Sequence, residues 1–167
     1  MISLFTVFII RTYLMQPFLV SGASMEPNFQ NGNYLLIDEL SYRFREPKRG
    51  EVVVFRYPGD EKTFYIKRLI AIPGERVVVR DGKVYIYNDE NPNGFILDES
   101  YIPADIKTTG TVDSSLGADE YFMMGDNRYY SFDSRNWGSV SRGEIVGLAR
   151  LRLLPISEAK AFEAPVY

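Results

Sequence analysis

The chain has 167 residues, about the size of one domain, with 46% hydrophobic residues, 25% charged residues and a formal net charge of −3. It contains no His and no Cys, which excludes a Ser-His-Asp triad, a Cys nucleophile, a Cys/His zinc site and any disulfide. An enzyme of this composition must transfer protons through Lys, Asp, Glu, Tyr or water, and the weakly acidic charge gives no indication of nucleic-acid binding.

The first 20 residues are almost entirely apolar, and Arg11 is the one charged residue among them. The run from Met1 to Ile10 would reach ~15 Å as a helix, whereas a complete membrane span needs ~20 residues. We therefore expect residues 1–17 to be a membrane-associated segment: a truncated transmembrane helix, a half-length membrane helix or an interfacial helix. The alternative is a cleaved signal peptide over residues 1–23, although no basic residue precedes the apolar run.

Beyond residue 30 the pattern predicts β-structure, because short β-branched or aromatic runs alternate with turn signals such as Asp81-Gly82. Residues 88–118 are polar and rich in turn-forming residues, which indicates an excursion or flap. Helix is expected only at the N-terminus and around Ser157 to Phe162. The predicted strands are Tyr34–Ile37, Glu51–Phe55, Phe64–Ile66, Val77–Val79, Val84–Tyr87, Tyr121–Met124 and Ile145–Ala149.

The sequence thus predicts a mainly β fold of antiparallel, partly barrel-like sheets. The membrane-associated segment covers residues 1–17, the β domain covers residues 18–154 with its polar excursion at 88–118, and a C-terminal tail covers residues 155–167.

Ser24 is a candidate nucleophile within the run Ser21-Gly-Ala-Ser-Met-Glu-Pro27. The small residues Gly22 and Ala23 allow the backbone to approach a bound chain closely. A serine needs a nearby base, and in a chain without His the natural activator is a Lys that burial keeps neutral. The ordinary alternative is a loop serine in a turn.

Lys67 is the best candidate for that base, because it interrupts an apolar strand. Arg68 follows it at once, and adjacent strand residues point to opposite faces, so one of the two must face inward. An inward Lys is costly unless its pKa falls, and lowering the pKa from ~10.4 to ~8 requires ~3 kcal/mol. The alternative is an edge-strand Lys that points into solvent.

A third polar stretch runs from Gly125 to Gly138. Asp133 and Arg135 could form an ion pair that braces a loop, and Ser131 could hydrogen-bond a neutral lysine amine and orient it. The alternative is a turn rich in Asp and Asn that stabilises itself.

Four segments, taken in order, resemble the sequence boxes of bacterial type I signal peptidase, the leader peptidase family (peptidase family S26). They are the nucleophile box Ser21–Pro27, the following strand box Arg49–Phe55, the general-base box Lys67–Glu75 and the last box Gly125–Gly138. The lead-in Arg11–Phe18 also resembles the juxtamembrane stretch of that family. Four boxes in order, with both residues of a Ser/Lys dyad in place, form a specific signature.

The resemblance implies a membrane-bound serine endopeptidase that removes N-terminal signal peptides from exported preproteins after a small-x-small motif, without cofactor or metal. Ser24 would attack the scissile carbonyl, and neutral Lys67 would take its proton and later deliver one to the leaving amine. By the same resemblance, Ser131 would orient Lys67, and Asp133, Arg135 and Asp126 would support the loop that carries Ser131. The backbone of Gly22 and Ser24 would bind the oxyanion and the substrate backbone. Phe18, Val20 and Ile66 would line the substrate pockets.

Two positions depart from the family pattern. Gly22 stands where some relatives place a Ser hydroxyl, so the second oxyanion donor must be a backbone N–H or a water. Pro27-Asn28-Phe29 stands where the family usually has Pro-Thr-Leu, which affects the local turn rather than the dyad.

The resemblance also implies partners and a location. The partners are preprotein signal peptides and the phospholipid membrane, with no nucleic acid, and the location is the outer face of the bacterial cytoplasmic membrane. It argues against the cleaved signal peptide, because cleavage after Ala23 would leave Ser24 as the new N-terminus. The absence of His favours the bacterial form, since the endoplasmic-reticulum and archaeal relatives are expected to use His where this chain has Lys67.

Three rival functions differ in how well the residues fit them. A self-cleaving SOS-type repressor needs a DNA-binding domain and an internal cleavage site upstream of the nucleophile, and the 23 residues before Ser24 leave no room for either. A Ser/Lys peptidase dedicated to conjugation or pilus proteins stays open, because substrate choice is not written in these boxes. A non-catalytic membrane-tethered β module is disfavoured by the presence of both dyad residues.

Overall fold

A computed structural model describes residues 15–165 and 167, and within them the chain forms twelve β-strands and one short α-helix. The strands are β1 (Met15–Leu19), β2 (Tyr34–Asp38), β3 (Val52–Tyr57), β4 (Asp60–Ala71), β5 (Arg76–Arg80), β6 (Lys83–Tyr87), β7 (Phe95–Ile96), β8 (Val112–Ser115), β9 (Glu120–Met124), β10 (Val140–Ser141), β11 (Ile145–Leu154) and β12 (Lys160–Ala161). The helix is α1 (Ser134–Trp137), and 3-10 turns cover Ser41–Arg43, Arg142–Glu144 and Ile156–Glu158.

The strands form two antiparallel sheets. The larger sheet has the order β1-β2-β11-β3-β4-β9-β10, with β12 added against β11, and the smaller sheet has the order β7-β6-β5-β8. The prediction of a mainly antiparallel β fold is therefore confirmed.

The two sheets share a core because the apolar side chains of β5 and β6 alternate toward the larger sheet. Val77, Val79, Val84 and Ile86 are fully buried and pack in one cluster with Phe122 of β9 and its neighbours. Each such side chain contributes ~1.5–3 kcal/mol on burial. Two further clusters lie on the larger sheet, and one of them includes the segment that carries Ser24.

Strand β4 is much longer than the predicted strand Phe64–Ile66, and its two halves differ in environment. The first half is mostly exposed, whereas every residue from Lys67 to Ala71 is buried. The second half lies between β3 and β9, with the smaller sheet packed against its end. Both of its faces are covered, so side chains on either face of this half lie in the interior.

Three expectations from the sequence differ from the structure or lie outside it. The proposed membrane segment falls mostly on residues 1–14, outside the described residues, and its last three residues belong to β1. The excursion at 88–118 is not a strandless flap, since it contributes β7 and β8 to the smaller sheet. The expected helix near the C-terminus is one 3-10 turn followed by β12, because Lys160 and Ala161 pair with β11.

No helix among the described residues has both the length and the apolar character required to cross a bilayer.

Gly147 gives a test of the packing between β11 and β2. A Cβ at this position would lie 2.8 Å from the carbonyl oxygen of Asp38 and 2.7 Å from Ile37 Cγ2, so the backbone of β2 would have to move. We expect Gly147→Ala to lower the free energy of unfolding by about 1–3 kcal/mol in urea denaturation. Gly143→Ala is the matched control, because its Cβ would approach nothing closer than Ser141 Oγ at 3.8 Å. Equal stability of the two variants would contradict the tight approach of β11 to β2.

Candidate active site

The register of β4 brings Lys67 close to the polar stretch that begins at Gly125. Arg68 pairs with Met124, the last residue of β9, while Lys67 pairs with Val53 of β3. The chain leaves β9 directly after Met124, so the stretch that begins at Gly125 starts beside the candidate base. Residues separated by about 60 positions in sequence are thereby adjacent.

The loop that carries Ser24 is anchored by two buried side chains and by hydrogen bonds from Asn127. The side chains of Met25 and Phe29 are 1% exposed and pack on the larger sheet. Asn127 donates its backbone N–H to the Ser24 carbonyl and its side-chain Nδ2 to the Ala23 carbonyl, both at 3.1 Å. The nucleophile loop is therefore attached to the stretch that follows β9.

The structure places Ser24 and Lys67 in direct contact, with Lys67 Nζ donating to Ser24 Oγ at 2.6 Å. Nζ also donates to the carbonyl of Ile66 at 3.1 Å. Lys67 is only 3% exposed, so the side chain does not point into solvent as an edge-strand lysine would. Burial lowers the pKa of its amine to about 8, against the opposing charges of Asp133 and Asp126 and with a smaller contribution from Arg135.

The two carboxylates near Lys67 are each occupied by an arginine. Asp126 is fully buried and accepts from Arg68 Nε at 2.7 Å and Nη2 at 2.6 Å. Asp133 accepts from Arg135 Nε and Nη2, both at 2.8 Å. Within the described part of the chain, no carboxylate forms a salt bridge with Lys67, which allows its amine to lose its proton.

The ion pair between Asp133 and Arg135 braces the loop that carries Ser131. Asp133 also caps α1 and accepts from the backbone N–H of Gly125 at 3.0 Å. Burial by itself would raise the pKa of Asp133, but the hydrogen bonds and charge of Arg135 hold it below its usual range. Arg135 in turn donates to the carbonyls of Thr109 and Arg128.

Ser131 lies close to the dyad but does not hydrogen-bond Lys67 in this structure. Its Oγ is buried and has no hydrogen-bond partner among the described residues. A Cβ at Gly125 would overlap both Ser131 Oγ and the Ser24 carbonyl oxygen, so glycine is required where the two loops meet. The Ser131 hydroxyl therefore reaches the site region at the point where the two loops meet.

The backbone groups expected to bind an oxyanion have different environments. Gly22 adopts φ +94°, a conformation that favours glycine, and its N–H donates to Asn31 Oδ1 at 2.9 Å. In this arrangement the Gly22 N–H is already engaged. No described residue accepts from the Ser24 N–H, which leaves that donor available to a substrate.

An apolar cleft of about 340 Å³ opens beside the dyad. It includes all three residues that the sequence analysis assigns to substrate pockets, Phe18, Val20 and Ile66. Phe18 meets Phe64 edge-on, with ring centroids 5.8 Å apart. The other lining residues are Leu19, Ser21, Gly22, Ala23, Ser24, Leu35, Val54, Tyr65, Lys67, Tyr130 and Phe132.

An aromatic cluster forms one wall of this cleft and joins α1 to β4. Trp137 stacks on Tyr65 at 5.6 Å and meets Phe132 edge-on at 4.9 Å. Tyr57 packs on Tyr65 at 4.9 Å. These contacts hold the Ser131 loop against the strand that carries Lys67.

Several residues of the site were not identified from the sequence. Arg68 is 5% exposed and is as buried as Lys67, because both faces of β4 are covered here. Arg128 is 1% exposed and pairs with Glu99 at 2.5 Å and with Thr108 Oγ1 at 2.5 Å. The sequence signal for these two arginines was the density of charged residues beside Lys67 and Asn127. Strand periodicity alone could not assign the partners of Arg68 and Arg128.

The described residues contain no cluster of three or more acidic side chains that could bind a metal ion.

Comparison with known proteins gives a consistent result. The sequence model of the family described as signal peptidase, peptidase S26, matches residues 1–154. A probable signal peptidase I-2 from Synechocystis is 41% identical in an alignment 154 residues long, gaps included, which covers 88% of this chain and 66% of that protein. Signal peptidase I P from Bacillus subtilis subsp. natto is 33% identical in an alignment 171 residues long, gaps included, which covers 96% of this chain and 88% of the relative.

A solved structure resembles the chain as well. The crystal structure of a signal peptidase I from Enterococcus faecalis matches with a TM-score of 0.52 and 30% sequence identity. The match covers 62% of this chain and 97% of the other.

The buried amine predicts a link between pH and stability. The amine pKa is about 8 in the folded chain against 10.5 for an ordinary lysine, so the unfolded chain binds more protons between these values and stability rises with pH across that window. At pH 7 the burial of this amine lowers the free energy of unfolding by about 3 kcal/mol, at ~1.36 kcal/mol per pKa unit. We expect Lys67→Met to be more stable than the unmodified chain by about 2 kcal/mol at pH 7, after the loss of the Ser24 hydrogen bond, and the difference to shrink by pH 10.

Chemical denaturation at the two pH values measures this difference. Lys62→Met on the exposed part of β4 is the control, because its amine is in water in both states. A stability difference for Lys67→Met that does not change with pH would show that the amine is not held neutral by burial.

Proposed function

Because the chain belongs to the signal peptidase family, peptidase S26, we propose that it removes N-terminal signal peptides from exported preproteins as a serine endopeptidase with a Ser/Lys dyad. The observation that carries this proposal is the 2.6 Å contact between Lys67 Nζ and Ser24 Oγ in a buried site. An amine of ordinary pKa would be neutral in roughly one molecule in 3,000 at pH 7. With a pKa of about 8, the Lys67 amine is neutral, and so able to accept the Ser24 proton, in about a tenth of the molecules.

The geometry supports a two-step acyl transfer. Ser24 Oγ attacks the scissile carbonyl carbon while Lys67 Nζ takes the hydroxyl proton, and the Ser24 N–H is placed to bind the oxyanion. The tetrahedral intermediate collapses, the C–N bond breaks, and the Lys67 ammonium gives its proton to the leaving amine. Lys67 then takes a proton from water as the water attacks the acyl carbon. The ester C–O bond breaks while the Lys67 ammonium returns that proton to Ser24 Oγ, which releases the carboxylic acid product and restores the free serine.

The remaining predicted site residues support the dyad in this proposal. Asp133 and Arg135 hold the loop of Ser131, and Asp126 holds Arg68 next to Lys67 in β4. The buried Ser131 hydroxyl has no partner among the described residues, so it can turn to the lysine amine once substrate binding shifts that amine. Ser131 would then orient Lys67 as the third member of the site.

The cleft favours substrates with small side chains at two alternate positions. In an extended peptide, the first and third residues before the cut point to the same side. That side would face Phe18, Val20 and Ile66, while the second residue would point away from the cleft. This reading accounts for a small-x-small motif and limits the side chains that fit beside the Phe18 and Phe64 rings.

We also propose that the protein acts at the outer face of the bacterial cytoplasmic membrane. The run Met1 to Ile10 is apolar, and large apolar side chains are exposed at the cleft mouth. Leu19 is 64% exposed and Phe132 is 52% exposed. Both features suit a lipid surface and an apolar signal-peptide segment.

Removal of either member of the dyad tests the proposed function. We expect Ser24→Ala and Lys67→Ala each to lower the rate of cleavage of a preprotein in detergent micelles by at least ~1,000-fold, since nucleophile and base act as a unit. Gel analysis and mass spectrometry of the products would locate the cut after a small-x-small motif. Ser100→Ala and Lys62→Ala are matched controls at exposed positions and should keep full activity. Full activity in a dyad variant would overturn the assignment, and cleavage of pilus or conjugation proteins alone would assign the chain to a specialised peptidase.

The pH dependence of kcat/KM tests Lys67 as the base. A protonated amine cannot accept the Ser24 proton, so the rate should rise about tenfold per pH unit below the amine pKa and level off above about 8. Initial rates in buffers of constant ionic strength from pH 5 to pH 10 would measure this profile. Activity that stays undiminished well below neutral pH would exclude Lys67 from this role.

A further inference from the structure

Asn28 lies where three parts of the active-site region meet. Its Nδ2 donates to Asp126 Oδ2 at 2.8 Å and to the Tyr101 carbonyl at 2.6 Å. Its own backbone carbonyl accepts from Arg152 Nη2 at 2.5 Å. A carboxylate and a carbonyl oxygen only accept hydrogen bonds, so the amide orientation is fixed by its partners.

The contact to Asp126 leads directly to the dyad. Asp126 is fully buried and holds both Nε and Nη2 of Arg68, which is the residue next to Lys67 in β4. The following residue, Asn127, binds the carbonyl of Ser24. Asn28 itself stands four residues after Ser24 on the nucleophile loop, so its amide closes a ring of contacts around the two reacting groups.

We infer that Asn28 is a positioning residue that fixes the nucleophile loop relative to the strand of Lys67, an inference that rests on the proposed peptidase function. Asn28 does not line the cleft, so it acts through Asp126 and the loop rather than on the substrate. Its second hydrogen bond connects the same loop to Tyr101 in the polar excursion. The excursion thus contributes to the geometry of the dyad without reaching the cleft.

The residue type matters because two acceptors must be satisfied at once. The amide of Asn28 has two N–H groups, one for each acceptor. A threonine, the residue usual at this position in the family that the sequence resembles, has a single hydroxyl proton and can donate to one of them. Asparagine therefore makes a link to the excursion that a threonine here would lack.

Steady-state kinetics of a substitution series tests the inference. Asn28→Leu keeps the size but removes both hydrogen bonds, and we expect kcat to fall 10- to 100-fold while KM changes less than threefold. Asn28→Thr keeps one donor and should lie between Asn28→Leu and the unmodified chain. Asn93→Leu, at an exposed position of the excursion, is the matched control and should leave both constants unchanged. A kcat for Asn28→Leu within twofold of the unmodified value overturns the inference.

A charge substitution provides a readout that a purely structural role would not change. Lys67 is already influenced by the negative Asp126 and Asp133 and by the positive Arg135. Asn28→Asp places a second carboxylate against Asp126, so we expect the acid limb of the kcat profile to move at least 0.5 pH unit higher. Asn93→Asp adds the same charge at an exposed site and should not move the limb. An unmoved limb in Asn28→Asp contradicts the coupling to Lys67.

Failure of this inference can be told apart from failure of the proposed function. If the unmodified chain does not cleave preproteins, the proposed function fails, and an NMR titration of the Lys67 Nζ resonance still compares Asn28→Asp with Asn93→Asp. A shift only in Asn28→Asp supports the positioning link, and equal titrations overturn it. If the unmodified chain is active and Asn28→Leu is equally active, only the inference about Asn28 fails.

Discussion

The buried amine of Lys67, which has no carboxylate of its own among the described residues, is the constraint on which the site depends. Burial is the main cause that lowers its pKa to about 8, against the charges of Asp133 and Asp126, and this net shift corresponds to about 3 kcal/mol. Two buried carboxylates nearby would reverse the effect if either bound the amine directly. Arg68 and Arg135 prevent this because each holds one of them in a bidentate ion pair. By occupying Asp126 and Asp133, the arginines therefore keep the pKa of the lysine amine low.

The same ion pairs also fix the loops that bring the serine to the amine. Asp126 is joined to Asn28 on the nucleophile loop, and the next residue, Asn127, holds the carbonyl of Ser24. Asp133 caps α1, whose Trp137 packs on the aromatic wall of the cleft. Electrostatic control and loop placement are thus carried out by the same side chains, so a change at one carboxylate affects both the pKa of Lys67 and the position of Ser24.

The sequence was sufficient to select Ser24 and Lys67, which the structure brings into contact, and to predict the class of fold, because these depend on local patterns. The run around Ser24, the lysine within an apolar strand and the short β-branched runs are all visible without partners. Strand periodicity assigned only one of Lys67 and Arg68 to the interior, and this failed because β4 is covered on both faces. The excursion at 88–118 was expected to lie apart from the sheets because its residues are polar. Its polar groups instead bind Arg128 and Asn28, partners too distant in sequence to be paired by pattern alone.

The absence of His is consistent with a candidate base that lies on a covered strand. A histidine titrates near neutral pH without help, so a loop at the surface can carry it. A lysine needs its pKa lowered from 10.5 to about 8, and the covered half of β4 supplies the desolvation that does so for Lys67. Ser24 must then be brought to the buried amine while its loop stays open to an extended substrate. The polar contacts of Asn28, Asn127 and Asp126 meet that requirement, because these three residues hold the loop without lining the cleft and leave its apolar wall to the substrate.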